Sequence, residues 1–245
     1  MSVVWLFDLD NTLHDASHAA FAPTSAAMSE YIARHLGVSA DEAHALRRAY
    51  WLRYGATLLG LVRHHGVRAA HFLDETHRLP GLEARLRTSA HDRAALAALP
   101  GRKVIVTNAP RAYAMRVLDT LGLTRSFDAI VTIEDMTMFG QHRPKPDARM
   151  LRRLCARLKV APSRCVLVED TLEHQKAARR VGMRAVWMQR YLDGRFRGVP
   201  WQRRRAAREA GAEPPQPSAQ GRRPGARPAY VYARIRALRE LPCLR

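Results

Sequence analysis

The sequence predicts an α/β protein, built on a doubly wound parallel sheet into which an all-helical domain is inserted. Three observations support this class: five short apolar runs are typical of buried strands, helical patterns alternate with the later runs, and a long helical interval follows the first run. With 245 residues and 47% hydrophobic composition, the chain is long enough to bury one sizeable core and a smaller second one.

The predicted strands are rich in β-branched residues and almost continuous in hydrophobicity, as in strands that helices cover on both faces. They are VVWLF (3–7), KVIVT (103–107), DAIVT (128–132), CVLVE (165–169) and RAVWM (184–188). Helices with apolar residues at three- and four-residue spacing are predicted between the later runs, over residues 111–121, 147–158 and 172–181. Strands that alternate with helices in this way form a parallel sheet.

Residues 15–98 interrupt this alternation, because they contain several helical patterns and no convincing strand. Ser39 and Glu42 have the spacing of a capping box at the start of one of these helices. We therefore expect residues 15–98 to form an all-helical domain inserted after the first strand. Residues 1–14 and 99–193 would form the sheet domain.

The C-terminal region divides into two parts. Residues 194–228 are rich in Arg, Pro, Gly and Ala and contain few residues suited to a core, so a mobile insertion is expected there. Residues 229–245 return to a β-type pattern followed by apolar residues at helical spacing. We expect a last strand near residues 229–233 and a short helix, which together complete the sheet domain.

The charge is strongly basic and unevenly distributed. The net charge is +19, and the segment from Arg195 to Arg245 contains 13 Arg against 3 Glu. A basic protein attracts anions, so phosphorylated small molecules and nucleic acids are both candidate ligands.

Two classes of protein are disfavoured by composition. No stretch approaches the roughly 18 uninterrupted apolar residues of a membrane-spanning helix, and the N-terminus lacks a secretory pattern. We therefore expect a cytoplasmic protein with no membrane partner. The three cysteines, Cys155, Cys165 and Cys243, form no CxxC pair, so neither a disulfide framework nor a zinc site is indicated.

Polar side chains lie at the carboxyl ends of three of the predicted strands, and a further polar side chain lies in a loop between two prolines. They are Asp8 and Asp10, Thr107 and Asn108, Glu169 and Asp170, and Lys145 in the segment RPKPD. In open parallel sheets, ligands bind at the carboxyl ends of the strands. Carboxylates are suited to Mg²⁺, whereas an ammonium, an amide and a hydroxyl are suited to a phosphoryl group. The sequence therefore predicts a magnesium and phosphate site.

Four segments carry a resemblance to a known family. FDLDNTL, VTNA, RPKPD and VLVEDT, in this order and at these strand ends, resemble the four signature motifs of the haloacid dehalogenase superfamily. The resemblance implies a Rossmann-like core, with residues 15–98 as a helical cap of the first-insertion type. FDLDNTLH, YWLRYGATLLGL and VEDTLEHQKAARRVGMRAVWM are most similar to the pyrimidine 5′-nucleotidase branch.

The resemblance implies a role for each acidic residue. Asp8 would be the nucleophile that forms an aspartyl-phosphate. Asp10 would protonate the leaving oxygen and then deprotonate the attacking water, while its backbone carbonyl would bind the metal. Glu169 and Asp170 would complete the Mg²⁺ site with Asp8 and Asp10.

The remaining motif residues would bind the phosphoryl group. Thr107, together with the adjacent backbone and Asn108, would hold phosphate oxygens, and Lys145 would neutralise charge between Asp8 and the phosphate. The implied activity is Mg²⁺-dependent hydrolysis of a small phosphorylated metabolite, with a pyrimidine nucleoside 5′-monophosphate as the expected substrate.

Several functions stay open beside this one. Phosphoglycolate or a sugar phosphate could be the substrate, in a phosphatase or a mutase reaction. A dehalogenase is disfavoured, because Asp10 is the proton donor that a phosphate leaving group requires. A function of another class, nucleic-acid binding through RRRAAR and GRRPGAR, has only charge in its favour.

The predicted helical domain offers further candidates. Arg53, Tyr54 and Thr57 lie in the segment that most resembles the substrate-facing region of the family, although an apolar helical stripe explains much of that segment. The eleven histidines, His14 among them, have no zinc-type pairing on one helix and are interpreted as ordinary surface or partly buried residues.

Overall fold

The computed structural model describes residues 3–87, 89–192 and 227–243. Its main feature is a six-stranded parallel sheet formed by apolar runs at the predicted places. The strands are β1 (Val4–Phe7), β2 (Arg102–Val106), β3 (Ala129–Val131), β6 (Cys165–Glu169), β7 (Arg184–Met188) and β8 (Ala233–Ile235). Their order across the sheet is β3-β2-β1-β6-β7-β8, and the short strands β4 (Thr137–Met138) and β5 (Gln141–His142) form a separate antiparallel pair. The predicted doubly wound α/β class is confirmed.

Three helices connect the later strands of the sheet: α8 (Arg111–Thr120), α9 (Ala148–Leu158) and α10 (Leu172–Arg180). Apolar clusters on the two faces of the sheet fill the space between strands and helices. Alternate residues of β1 divide between them, with Trp5 and Phe7 in one cluster and Val4 and Leu6 in the other. This division explains why the strand is continuously apolar, since both of its faces are buried.

Seven helices lie between β1 and β2 in the part of this interval that the structure describes. They are α1 (Ala16–Ala19), α2 (Phe21–Leu36), α3 (Ala40–Tyr54), α4 (Thr57–His65), α5 (Ala69–Thr76), α6 (Leu82–Arg85) and α7 (Ala90–Ala98). The capping box predicted at Ser39 and Glu42 is present at the start of α3. Among the described residues of this interval there is no strand.

The buried side chains of these helices belong to two different cores. Helices α2 to α5 pack around a separate apolar cluster. We call these four helices (residues 21–76) the helical subdomain. Leu82 of α6 and Leu96 of α7, which we predicted in the inserted domain, pack instead in the larger cluster on the sheet. Ile133, which follows β3, is buried within the cluster of the helical subdomain.

Helices α3 and α4 approach each other closely at a glycine. A Cβ atom on Gly60 would lie 2.2 Å from Cγ of Tyr50. Only a residue without a side chain leaves room for the tyrosine ring at this position. The close approach fixes how α4 packs against α3, which carries several residues of the cavity described below.

The last strand lies slightly later than we predicted. β8 occupies Ala233–Ile235 and pairs in parallel with β7, whereas residues 229–230 form a turn. The shift arises because Tyr232 N–H already donates to the carbonyl of Ala185, so pairing with β7 begins there. A 3₁₀ helix follows over Leu238–Cys243.

The basic insertion predicted at residues 194–228 lies outside the described residues, except for its last two. The mobile character of this segment and the nucleic-acid alternative that depends on it therefore stay predictions. In the part of the chain that is described, no helix is both long enough and apolar enough to cross a membrane.

The C-terminal 3₁₀ helix closes the larger core, and its contribution can be measured. Leu238 is buried in the cluster that also contains Phe7 and Leu96. We expect Leu238→Ala to lower the free energy of unfolding by about 2–5 kcal/mol, because it leaves a cavity. Urea denaturation would measure the change. Leu52→Ala is the control, since Leu52 is exposed and its loss should cost less than about 1 kcal/mol. Equal effects of the two substitutions would contradict this packing.

Candidate active site

The strand order brings the predicted site residues together. β1 lies at the centre of the sheet, paired in parallel with β2 on one side and β6 on the other. Asp8 directly follows β1, Thr107 follows β2 and Glu169 ends β6. Because the three strands are parallel and in register, their carboxyl ends meet at the same edge of the sheet.

Lys145 joins two of these acids. Its Nζ lies 2.6 Å from Oδ1 of Asp8 and 2.7 Å from Oε2 of Glu169. The lysine side chain is almost fully buried, as are both carboxylates. Asn108 holds the lysine backbone from both sides, since its Nδ2 donates to the Lys145 carbonyl and its Oδ1 accepts from the Lys145 N–H, each at 2.9 Å. The side chain of Asn108 thus positions Lys145.

Burial and charge shift the pKa values of this trio in different directions. Burial, followed by repulsion from Glu169, raises the pKa of Asp8 to about 8. Burial alone would raise the pKa of Glu169 as well, but Lys145 and His174 hold it well below its ordinary value. Burial would lower the pKa of Lys145, yet the Asp8 and Glu169 carboxylates raise it above its ordinary value. Lys145 therefore remains an ammonium, shared by two acids.

The donor set fits a divalent cation. One carboxylate oxygen from each of Asp8, Glu169 and Asp170 lies within 4.8 Å of the others. Hard oxygen ligands of this kind suit Mg²⁺. Lys145 contacts two of these three acids, Asp8 and Glu169. A divalent cation at this position would reduce the remaining repulsion and favour the ionised form of Asp8. The residues present are thus compatible with the predicted Mg²⁺, and Asp8, Glu169 and Asp170 are the side chains that would hold it.

Asp10 has a different environment from the other acids. Its Oδ1 accepts a hydrogen bond from the Tyr113 hydroxyl at 2.8 Å and lies 2.9 Å from Nε2 of His14. His14 is fully buried. Burial, followed by the charge of Asp10, raises the pKa of Tyr113 well above its ordinary value, so the hydroxyl keeps its proton. The Asp10 side chain thus has its own hydrogen-bond partners, different from those of Asp8 and Glu169.

Two threonines complete the edge of the sheet. Thr107 is buried, and its hydroxyl accepts a hydrogen bond from the backbone N–H of Ala109. Thr12, in the loop after β1, donates a long hydrogen bond of 3.4 Å to Oδ2 of Asp8. Both contacts stabilise the loops that follow β1 and β2.

A cavity of about 880 Å³ lies between this edge and the helical subdomain. Seven of its lining residues were predicted: Asp8, Asp10, Thr107, Asn108, Lys145, Glu169 and Asp170. On the opposite side, Thr24 and Ser29 of α2 and Arg47 and Trp51 of α3 line the cavity. The seven predicted residues of the strand ends and the RPKPD loop therefore line one cavity.

The predicted candidates on the helical subdomain are only partly at the cavity. Thr57 lines it and donates to the carbonyl of Arg47. The described residues that line the cavity include neither Arg53 nor Tyr54. Arg53 instead packs over the Tyr54 ring, and the Tyr54 hydroxyl bonds to His64.

Sequence reasoning missed three residues: Arg47, His14 and Tyr113. Arg47 is a buried arginine whose Nε donates to Ser29. The sequence spacing could have indicated that Arg47 is buried, because it lies four residues after the buried Ala43 and four before the buried Trp51 on the same helix. His14 has a similar signal, four residues after Asp10, whereas Tyr113 is 103 residues from Asp10 and has none.

Known proteins resemble this chain in sequence. A protein-family model for haloacid dehalogenase-like hydrolases matches residues 4–182. Validoxylamine A 7′-phosphate phosphatase of Streptomyces hygroscopicus subsp. limoneus is 30% identical over 207 residues, which are 75% of this chain and 84% of that protein. Fructose-1-phosphate phosphatase YqaB of Escherichia coli is 40% identical over 81 residues, 33% of this chain and 40% of that protein.

Solved structures share the fold at low sequence identity. A HAD phosphatase from Thermococcus onnurineus is 22% identical, with a TM-score of 0.60 over 100% of this chain and 97% of that chain. The HAD-hydrolase YfnB from Bacillus subtilis, solved bound to magnesium, is 16% identical, with a TM-score of 0.55 over 99% of this chain and 98% of that chain.

The cation site can be tested by stability. At 100 times its dissociation constant, Mg²⁺ would stabilise the protein by about 2.7 kcal/mol, which raises Tm by about 5 °C or more. We expect this difference between MgCl₂ and EDTA in the wild type and in Asp74→Asn, an exposed control on α5. In Asp170→Asn the shift should be largely lost. A full shift in Asp170→Asn, measured by calorimetry, would exclude Asp170 from the site.

Proposed function

This chain belongs to the haloacid dehalogenase-like hydrolase family, and we propose that it is a Mg²⁺-dependent phosphatase acting on small phosphate monoesters. The observation that carries the proposal is that the two aspartates lining the cavity, Asp8 and Asp10, have different hydrogen-bond partners. Asp8 lies against Lys145 in the buried cluster, whereas Asp10 is bonded to His14 and Tyr113. A nucleophile and a proton-transferring group need such different environments.

The first half of the reaction forms a covalent intermediate. An Asp8 carboxylate oxygen attacks phosphorus, and the bond from phosphorus to the leaving oxygen breaks. Asp10 donates its proton to that oxygen, so the leaving group departs as an alcohol. Lys145 holds Asp8 in place and balances the charge of the phosphoryl oxygens, which Thr107 also contacts.

The second half regenerates the enzyme. Asp10, now a carboxylate, takes a proton from water as the water oxygen bonds to phosphorus. The bond from phosphorus to Asp8 breaks and inorganic phosphate is released. Mg²⁺, when bound by Asp8, Glu169 and Asp170, would reduce the repulsion between the anionic nucleophile and the anionic phosphate.

Asp10 favours a phosphatase over a dehalogenase. A halide leaves as a stable anion and needs no proton, whereas an alkoxide leaving group does. The position of Asp10 at the cavity, hydrogen-bonded on Oδ1, suits a group that delivers a proton to the leaving oxygen.

The walls of the cavity support a hydroxylated leaving group. The side chains of Thr24, Ser29, Thr57 and Arg47 give the cavity a polar wall, in which Arg47 donates to Ser29 and Thr57 donates to the Arg47 carbonyl. Relatives of this chain are named as phosphatases of validoxylamine A 7′-phosphate and fructose 1-phosphate. We therefore place a sugar-type phosphate first among the substrates.

A pyrimidine nucleoside 5′-monophosphate is the second candidate. The resemblance of FDLDNTLH and two further segments to the nucleotidase branch favours it, and Trp51 offers an aromatic wall for a base. Arg53 and Tyr54, which we considered for contacts with the nucleotide, do not support it, because the described cavity lining contains neither.

A substrate panel tests the proposal. Phosphate release would be measured from fructose 1-phosphate, glucose phosphates, phosphoglycolate, UMP, CMP and AMP, with Mg²⁺ or EDTA. We expect Mg²⁺-dependent release, fastest for a sugar phosphate, and a loss of at least about 1,000-fold in Asp8→Asn because the nucleophile is removed. A preference for UMP or CMP would replace the first candidate by the second. Release that persists in Asp8→Asn would contradict the mechanism.

The role of Arg47 in substrate choice can be tested separately. We expect Arg47→Gln to raise KM for the preferred ester by about tenfold, the effect of one lost charged hydrogen bond, with a smaller effect on p-nitrophenyl phosphate. Arg48→Gln is the matched control, because Arg48 is the exposed neighbour on the same helix. The same KM change for both esters would show that Arg47 does not contact the leaving group.

A further inference from the structure

We propose that His14 and Tyr113 are positioning residues for Asp10, which hold its Oδ1 so that proton transfer takes place only at Oδ2. This inference rests on the proposed phosphatase function and concerns residues outside the four sequence motifs. Neither residue needs to touch the substrate phosphate for this role. Both act through the orientation of one carboxylate.

The contacts converge on a single oxygen. Tyr113 donates its hydroxyl proton to Oδ1 of Asp10 at 2.8 Å, and Nε2 of His14 lies 2.9 Å from the same oxygen. The hydroxyl oxygen of Tyr113 is also 3.4 Å from Nε2. Nε2 faces two oxygens, one of them a carboxylate oxygen, and Nδ1 has no hydrogen-bond partner among the described residues. We therefore assign the tautomer in which Nε2 is the donor. Oδ1 of Asp10 therefore accepts two hydrogen bonds.

This arrangement holds in both protonation states of Asp10. When Oδ2 carries the proton, Oδ1 is a carbonyl-type oxygen that accepts hydrogen bonds; when the proton leaves, Oδ1 still accepts. The same orientation thus serves proton donation to the leaving oxygen and proton removal from water. The proton moves from Oδ2 to the leaving oxygen in the first step and from water to Oδ2 in the second.

The loop after β1 is folded to bring His14 back to Asp10. Asn11 has a φ of 57°, the left-handed region that Asn tolerates better than most residues. Its side chain is fixed, because Oδ1 accepts from the Ser17 N–H and Nδ2 donates to the Ser17 hydroxyl. The N–H of Leu13 donates to the carbonyl of Leu9, which closes the turn. His14 and Asp10 then form an isolated backbone bridge.

Both positioning residues are held rigidly. Each is almost fully buried, His14 at 0% and Tyr113 at 2% exposure. Tyr113 is on α8, which packs on the sheet through neighbours such as Ala114 and Val117. Its ring also meets the ring of His77 edge to face, at the junction with the helical subdomain. Rigid partners of this kind reduce the number of orientations open to Asp10.

The test compares two esters that differ in their need for an acid. p-Nitrophenyl phosphate releases a phenolate that is stable without a proton, whereas an alkyl phosphate requires one. The alkyl ester is the one that the wild type hydrolyses fastest in the panel above. The readout is kcat/KM, which reports the formation of the aspartyl-phosphate and not its hydrolysis.

We expect Tyr113→Phe and His14→Leu to lower kcat/KM for the alkyl ester by about tenfold or more, part of the effect of a general acid. The loss for p-nitrophenyl phosphate should be several times smaller. His14→Gln, which keeps an N–H donor on the side chain, should recover part of the activity. Tyr31→Phe is the control: it removes the hydroxyl of another buried tyrosine, in the helical subdomain and outside the described cavity lining.

Equal losses for the two esters in Tyr113→Phe would overturn the inference, because a purely structural role affects both alike. Unchanged kcat/KM for the alkyl ester in Tyr113→Phe, with a normal Tm, would overturn it as well. If the wild type hydrolyses no alkyl ester, the proposed function itself is wrong. Tyr113→Phe is nearly isosteric, so this comparison does not depend on whether His14→Leu folds.

Discussion

The buried ammonium of Lys145, between Asp8 and Glu169, is the interaction on which the site depends. Two carboxylates at this distance repel each other strongly away from water, so they need a shared positive charge. That charge comes from a loop far along the chain, and Asn108 fixes the loop by two backbone hydrogen bonds. Removing Lys145 would leave the buried carboxylates of Asp8 and Glu169 without their shared positive charge.

The central place of β1 follows from the same requirement. Only a strand with a parallel neighbour on each side can bring its own carboxyl end beside two others. β1 has β2 and β6 as neighbours, and the fully apolar run from Val4 to Phe7 meets the condition that both faces be buried. Asp8, the proposed nucleophile, thus lies at the end of one of the most deeply buried strands. Such a strand supports a well-ordered catalytic group.

Much of the fold, and the meeting of the motif residues at one cavity, could be predicted from local pattern. CVLVE and RAVWM occupy β6 and β7 to the residue, since apolar runs bounded by turns define buried strands. The last strand was placed too early, because its start depends on pairing between Tyr232 and Ala185. The contact of His14 with Asp10 was missed although the two are four residues apart, because that spacing indicates a contact only within a helix. Tyr113 has no sequence signal, since it lies on a helix after the next strand, 103 residues from Asp10.

Ile133 gives the two packing units a common residue. It follows β3 in the sheet domain, yet its side chain completes the apolar cluster of α2 to α5 and it also lines the cavity. The helical subdomain is therefore not a self-contained module. Replacing it would require more than joining new helices to the chain at its two ends. A chimaera that replaces residues 21–76 with helices of another specificity would also have to match the shape of the side chain at position 133.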